Sequence, residues 1–396
     1  MITVGADMRN KIFYTFIESL SVKKIRRLMK LFDDYNQLKG ADEKLLNSLD
    51  FLTKRDIEKL LSGFKQIDVD REVDRLAKKE VNITFYGDED YPKRLYDIAN
   101  PPWGLYYLGA LPRDDRPSVS IIGARACSEY GKNTAAYFAK ELAGKGVQII
   151  SGMASGVDGV AQRKALEHGL TFGVLGCGID VCYPISNRDL YDGLKEKGGI
   201  ISEYPLGSKP EAYRFPMRNR IISGLSDIVL VTEAKEKSGT AITVSMALEQ
   251  GKDVFAVPGR IGDKLSMGCN KLIKDGAGMA LSSDDILFEL DQRRSCNCYS
   301  KKDNYGGFYG GENETENLTF HGSKEAEMGE YTKMSMEEAY ISRVIGVKSM
   351  FIDELWKVIN EEKLVDMKSI SELSVILANM EICGILANRN GCYELI

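Results

Sequence analysis

Between Val119 and about Leu281, short β-branched runs alternate with amphipathic stretches, and this alternation constrains the fold more than any other feature of the chain. The runs are Val119–Ile122, Val147–Ile150, Phe172–Leu175, Ile200–Ser202, Ile228–Thr232 and Val254–Val257. Helical patterns fill the gaps, for example Gly131–Leu142, Val160–Glu167 and Ala241–Glu249. Strand, helix and strand at this spacing require right-handed crossovers, because a right-twisted strand feeding a helix packs back onto its sheet in that hand. The crossover helices cover both faces, so the strands read as continuous apolar runs rather than alternating ones. The expected fold is therefore α/β: a Rossmann-like, mainly parallel sheet with helices on both faces.

The flanks have a different period. From Asn10 to Lys79 apolar positions recur at helical spacing without strand-like alternation, with Phe13, Phe16 and Ile17 on one face and Ile25, Leu28, Met29 and Phe32 on another. A small all-helical N-terminal domain over 1–82 follows, with the α/β domain at 83–290. Its basic segment Lys23–Lys30 reads either as a solvated helix face or as a DNA contact, the former being the commoner use of such a run. From 291 to 332 Gly, Asn, Ser and charge replace any period, as in Tyr305-Gly-Gly-Phe-Tyr-Gly-Gly311, and a flexible linker is expected. Cys296 and Cys298 lie within it, but no second pair follows at zinc spacing, so they read as thiols. The last segment, 333–396, carries helical patterns at Met336–Val344, Phe351–Asn360 and Ser369–Ile385. Asn390-Gly391, a tight-hairpin dipeptide, then precedes Tyr393–Ile396. Three helices and a hairpin describe a winged helix. Its third helix offers Glu372, Asn379 and Glu381, with Lys368 alone as a cation at its start, so a protein contact or structural role suits it better than reading the major groove.

Composition narrows the function. With 43% hydrophobic and 28% charged residues the chain is an ordinary globular one. Its longest apolar runs are strand length, well short of a membrane span, and its first residues lack the order of a secretory signal, so a cytoplasmic protein without a membrane partner is expected. Eight scattered cysteines fit reduced thiols. The net charge of −5 counts against a general polyanion binder but permits a local basic groove. Only His168 and His321 occur, neither in a catalytic setting, which weakens His-based hydrolase and metal readings; no cofactor is expected.

In an open parallel sheet, ligands bind beyond the carboxyl ends of the strands. Those ends carry Gly123, the pair Ser151 and Gly152 with Gly156, then Gly176 and Gly178, and Ser238, Gly239 and Thr240. Glycine lets a backbone approach a ligand and helix N-termini supply free N–H donors, so this edge reads as a phosphate-binding rim. No G-x-G-x-x-G or G-x-x-x-x-G-K-[ST] occurs, which argues against a dinucleotide dehydrogenase or a P-loop ATPase. Asp158 and Glu233 could form an acid/base pair, or cap helices and hold loops, the commoner use of acids at such ends. The stretch Lys209–Arg220 adds four cations, Lys209, Arg214, Arg218 and Arg220, against the single acid Glu211, with Tyr213, Phe215 and Asn219 among them. Guanidinium groups grip phosphates and aromatic faces stack exposed bases, so single-stranded rather than duplex nucleic acid fits, with Arg125 at the end of the first strand adding a cation. A plain surface loop with Phe215 as a core plug is the competing view.

In these motifs the sequence resembles the DNA-processing protein A (DprA/Smf) family. The resemblance runs from Tyr91-Pro92 to about Gly276-Ala277. It rests on Ile121-Ile-Gly-Ala-Arg125, Ser151-Gly-Met-Ala-Ser-Gly-Val-Asp158, Val174-Leu-Gly-Cys-Gly-Ile-Asp180 with Tyr183-Pro184, Ile201-Ser-Glu-Tyr-Pro205, Phe215-Pro-Met-Arg-Asn-Arg-Ile-Ile222 and Val254-Phe-Ala-Val-Pro-Gly259. It implies a non-enzymatic homodimer that binds single-stranded DNA, protects it and loads the RecA recombinase onto it in natural transformation and recombination. It also implies a helical N-terminal appendage of the SAM or helix-hairpin-helix type. Carried onto this chain, the DNA contacts are Arg125, Phe215, Arg218, Asn219 and Arg220, with Lys209 just upstream. Arg125, Arg218 and Arg220 would clamp phosphates while Phe215 stacks a base. The chain departs from the family at Gln162, usually His, at Ala124, usually Ser, and at Ser238-Gly-Thr-Ala241, usually Ser-Gly-Ser-Leu. The alternative is a nucleotide-processing enzyme resembling the phosphoribohydrolases of the same variant Rossmann fold, which Ser238-Gly239-Thr240 and Glu249 match weakly.

Overall fold

The computed structural model describes residues 6–300 and, beyond them, parts of the span 341–395. The chain divides into two compact units, Met1–Gly307 and Phe308–Ile396.

Six helices open the first unit: α1 (Ala6–Thr15), α2 (Val22–Leu31), α3 (Tyr35–Lys39), α4 (Glu43–Asn47), α5 (Lys54–Gln66) and α6 (Val69–Lys78). Their starts are set by side chains that take up free N–H groups: Asp34, Asp42 and Asp68 cap α3, α4 and α6, and Thr53 with Asp56 forms a reciprocal capping box on α5. The apolar stripes these helices turn inward, Phe13, Ile17, Ile25 and Leu28 among them, join one core with Phe85, Trp103, Tyr106 and Leu175. The Thr15 and Tyr106 hydroxyls are 2.7 Å apart inside it. The helical segment expected as a domain of its own packs its helices on one another, the Phe13 ring of α1 centred 5.1 Å from the Phe64 ring of α5, and also shares its core with the sheet.

Nine strands form that sheet: β1 (Asn82–Phe85), β2 (Gly104–Gly109), β3 (Ser118–Gly123), β4 (Gln148–Ser151), β5 (Thr171–Leu175), β6 (Gly199–Ser202), β7 (Ile228–Glu233), β8 (Asp253–Ala256) and β9 (Gly278–Met279), in the order β1-β2-β6-β5-β4-β3-β7-β8-β9. Strands β3 to β9 are parallel to their neighbours, and β1 and β2 form an antiparallel margin on β6. The connecting helices are α7 (Glu129–Gly144), α8 (Val157–His168), α9 (Arg188–Lys197), α10 (Arg214–Gly224), α11 (Gly239–Glu249) and α12 (Met267–Lys274), followed by α13 (Ser283–Ser300). The fold is the expected Rossmann-like one, and the six strands read from sequence are β3 to β8. Strands β4, β5 and β6 are laid down to one side of β3, and β7, β8 and β9 to the other. The crevice beyond the carboxyl ends of β3 and β7 is therefore the topological switch point. Two expectations differ from the structure. Residues 214–224, which the competing view made a surface loop, are helical, and α13 continues past Asp291, where the linker was expected to begin. Tyr305–Gly311 lies outside the described residues.

In the second unit β10 (Met350–Phe351) leads into a helix, Ile352–Glu362, and β11 (Leu386–Arg389) pairs with β12 (Cys392–Leu395) in a three-stranded sheet of order β10-β12-β11. Arg389 faces Cys392, so the two strands are separated by Asn390-Gly391, as the hairpin signal requires. Ile341, Leu355, Ile359, Leu373, Leu377 and Leu386 make its core. Glu381 is exposed, while Lys368, Glu372 and Asn379 lie outside the described residues.

Candidate nucleic-acid interface

A pocket of about 420 Å³ occupies the switch point. Its walls are the end of β3 at Gly123, Ala124 and Arg125, the start of α8 at Asp158, one face of α10, and the N-terminus of α11 at Ser238, Gly239 and Thr240. Local sequence makes this room. Gly156 has φ +80°, and a Cβ there would stand 2.3 Å from the Ala124 carbonyl oxygen, so only glycine lets the loop before α8 lie against the β3 end. The Val157 N–H then donates to the Ala124 oxygen (3.2 Å) and the Ala124 N–H to the Glu233 oxygen (2.7 Å), fixing the backbone that carries Arg125.

Helix α10 divides the expected contacts. Pro216 is tolerated in its first turn, where an N–H has no intrahelical partner. A helix turns about 100° per residue, so Phe215, Arg218, Asn219 and Ile222 share the pocket face while Arg220, two residues from Arg218, faces away. Arg220 borders a second cavity and is 7% exposed, its Nη2 donating to Glu203 Oε1 at 2.5 Å. Arg218 lines the pocket but is 4% exposed. Its Nη1 donates to the carbonyl oxygens of Gly152 (2.8 Å) and Val174, and Asp158 supplies the opposing charge. Burial lowers the Arg218 guanidinium to about 10 despite Asp158, and burial raises the Asp158 carboxyl despite Arg218 and the Gly152 N–H it accepts at 3.1 Å. A Cβ on Gly152 would meet the guanidinium at 2.7 Å and the Asp158 carboxylate at 2.8 Å, so that glycine makes room for the two buried charges rather than for a ligand. Arg218 is thus an internal strut joining β4, β5 and α10.

What remains open to a ligand is a smaller set. Arg125 is exposed, its Cζ 5.7 Å over the Phe215 ring, and among the described residues no carboxylate lies within ion-pair distance of it. Phe215 is half-buried, backed by Gly176 and set 5.4 Å from the exposed Tyr183 ring. Asn219 Oδ1 accepts from Arg218 Nε at 3.2 Å. Lys209 is exposed but outside the pocket, its carbonyl oxygen accepting from Arg214 Nη1 at 3.0 Å. The rim sorts likewise. Ser151 donates inward to the Ile121 oxygen (2.7 Å), and Gly178 is buried against the 205–208 loop. Ser238, Gly239 and Thr240 open on the pocket at a helix start with no acid in its first turn, and Ser238 Oγ has no hydrogen-bond partner. Free N–H groups and the helix dipole make that end a seat for an anion.

Neither carboxylate is free for acid/base work. Glu233 is buried and accepts from the N–H (2.8 Å) and Oγ (2.6 Å) of Ser128, the N-cap of α7. Asp158 is buried, accepts from the Gly152 N–H and faces the charge of Arg218. Gln162 lies in the interior, accepting from the Met153 N–H (3.0 Å) and donating to the Phe172 oxygen (3.0 Å). Sequence reasoning missed the Asp158–Arg218 pair; the glycine at 152, facing both charges, was the available signal.

Residues 82–291 match the family described as DNA recombination-mediator protein A, more than half of the chain. The chain belongs to this family. Among relatives, Protein Smf of Synechocystis sp. is 36% identical over 271 residues, 67% of this chain and 68% of that one. DNA processing protein DprA of Streptococcus pneumoniae is 42% identical over 205 residues, 52% of this chain and 72% of that one. The solved structure of the pneumococcal DprA aligns with a TM-score of 0.61 at 34% identity, covering 71% of this chain and 97% of the other. DNA processing protein A of Helicobacter pylori, described in terms of its single-stranded DNA binding mode, aligns with a TM-score of 0.50 at 32% identity, covering 54% and 97%.

Proposed function

We propose that the chain binds single-stranded DNA at the switch-point pocket and acts in DNA processing and recombination rather than as an enzyme. The observation that carries this reading is the exposed Arg125 guanidinium over the half-buried Phe215 ring at the mouth of a pocket whose far wall is the start of α11. An aromatic face takes a base, a guanidinium and a helix N-terminus take the flanking phosphates, and a duplex hides the base faces such a site needs. Single-stranded DNA binding in the Helicobacter pylori relative supports it. The occupied state of Asp158 and Glu233 tells against the nucleotide-processing alternative.

In this reading Arg125 and the α11 N-terminus do the clamping. Arg218 holds the pocket in shape, Asn219 offers its amide, the exposed Lys209 acts from outside the pocket, and Arg220 is spent on Glu203. Family membership supports the finer roles: protection of the strand, delivery to the RecA recombinase in transformation or recombination, a homodimer, a cytoplasmic setting, and a winged helix as the second unit. Among the described residues no helix is long and apolar enough to cross a membrane.

The test is fluorescence anisotropy of a labelled oligo-dT with a duplex control. The full chain should bind the single strand preferentially, and Arg125→Ala and Phe215→Ala should each weaken binding while keeping the fold. Equal affinity of both variants and the parent would move the site elsewhere. No binding by the folded parent would end the proposal.

A further inference from the structure

Helix α10 has a second face, and it looks onto a second cavity. This cavity, of about 450 Å³, lies between the N-terminal helices and the sheet. Tyr213, the residue before α10, and Met217 of α10 border it, with Tyr204, Trp103 and, from the start of α5, Arg55. Tyr213 is 54% exposed and Met217 is exposed beside it, an apolar and aromatic lip on an otherwise well-covered helix. Arg214 lies between two of the rings, its Cζ 4.7 Å from the centre of Tyr204 and 5.5 Å from that of Tyr213.

The charges around the cavity are mostly spent. Glu18 accepts from Arg214 at 2.9 Å, and Glu203 from Arg220 at 2.5 Å. Arg55 is exposed, and among the described residues no carboxylate lies within ion-pair distance of it. Next to it, Asp56 accepts from Lys24 at 2.6 Å and so ties α2 to α5. The outer face of α2 then presents Lys23, Arg26 and Lys30, all exposed and spaced at three and four residues. Aromatic walls with a free guanidinium and a cationic helix face beyond are the chemistry of a single-strand subsite, where rings stack bases and cations follow the backbone.

Resting on the reading above, we propose that the bound strand passes over the N-terminus of α10 and places a second nucleobase in this cavity, with its onward backbone on Arg55 and α2. A helix with its side chains is about 10 Å across, so at least three stacked steps of about 3.4 Å separate the two bases. The helical N-terminal segment is then part of the DNA site.

Trp103 reports on the cavity directly, and replacing Trp356, the other tryptophan, by Phe isolates its emission. The full-length Trp356→Phe chain is titrated with oligo-dT of about two and about twelve nucleotides, anisotropy reporting binding and Trp103 emission reporting the cavity. The longer strand should change the emission and the shorter one should not. Arg55→Glu, which leaves α5 intact because an acid suits a first turn, should abolish that change and weaken the longer strand by about fivefold or more. Binding without any emission change, or Arg55→Glu binding the longer strand like the parent, overturns the proposal and leaves the first pocket standing. An equal emission change with free dTMP alone overturns it in favour of a free-nucleotide site. No anisotropy change with either strand removes the reading on which the proposal rests, and the proposal with it.

Discussion

Replacing Arg218 by Met isolates its buried charge interaction with Asp158, because Met keeps much of the length and removes the charge. Two carbonyl groups, those of Gly152 and Val174, lose their guanidinium donor, and the buried Asp158 loses its countercharge. Removing one member of a buried pair costs about 3–5 kcal/mol, chiefly through the charge left behind. With a urea m-value of about 2 kcal/mol/M, the unfolding midpoint should fall by roughly 2 M. The loss should also depend on pH in a definite direction. Asp158 in the folded chain already holds its proton above the ordinary carboxylate value, and without Arg218, whose charge lowers it, it will hold the proton more strongly. A folded pKa above the unfolded one means the folded state binds more protons in that window, so stability falls as pH rises through it and returns as pH falls. The variant should therefore be most impaired at neutral pH and recover part of its deficit on acidification toward the carboxylate range. Urea unfolding followed by Trp103 emission in a Trp356→Phe background at several pH values measures both effects. An unchanged midpoint, or a deficit that grows on acidification, would refute the assignment of Arg218 as a strut charged against Asp158.

Other perturbations separate binding from folding. Phe215→Ala should cost about 1–3 kcal/mol of single-strand affinity, a loss read by anisotropy, while Phe215→Tyr, which keeps a ring, should cost clearly less. Gly156→Ala sets a Cβ against the Ala124 carbonyl at φ +80° and should destabilise by at least about 1–3 kcal/mol in thermal unfolding, displacing Arg125 as well. Gln162→Ala leaves the Met153 N–H and Phe172 carbonyl without that partner and should cost about 1–3 kcal/mol of stability, with single-strand affinity of the folded protein unchanged. Because few cations are free at the pocket, log K for a short oligo-dT should fall with log salt at a slope of only about −1 to −2, at ~0.7 per phosphate, and Arg125→Ala should make it shallower by about 0.7.

The parallel heart of the fold was legible because Ile228, Val229, Leu230 and Val231 are buried in succession, as a strand covered on both faces requires. The antiparallel margin was not. Asn82–Phe85 and Gly104–Gly109 mix polar, aromatic and glycine residues at an edge, and no crossover helix separates them to betray a repeat. The rim was legible as an edge rich in small residues, yet their tasks were not, since the sequence does not say whether a glycine faces an open pocket, as Gly239 does, or an arginine, as Gly152 does. Helix α10 was hidden by Pro216 and by a density of arginine and aromatic residues that reads as a loop. The helical α13 likewise extends into a segment whose composition had suggested a linker.

The helical state of α10 changes the electrostatics of the site. Taken as an extended loop, Lys209–Arg220 would offer four cations to one strand of DNA. Folded as a helix, it sends Arg218 inward to Asp158, pairs Arg220 with Glu203, and pairs Arg214 with Glu18. Arg125 and the dipole of α11 are left as the positive features at the pocket mouth. A chain of net charge −5 can hold a polyanion on such terms only if much of the affinity comes from ring stacking, which needs no counterion release and works equally well on an acidic protein. The accessible rings then matter more than the count of arginines, and three of them, the exposed Tyr183 and Tyr213 and the half-buried Phe215, lie at or just before α10 or against its first turn.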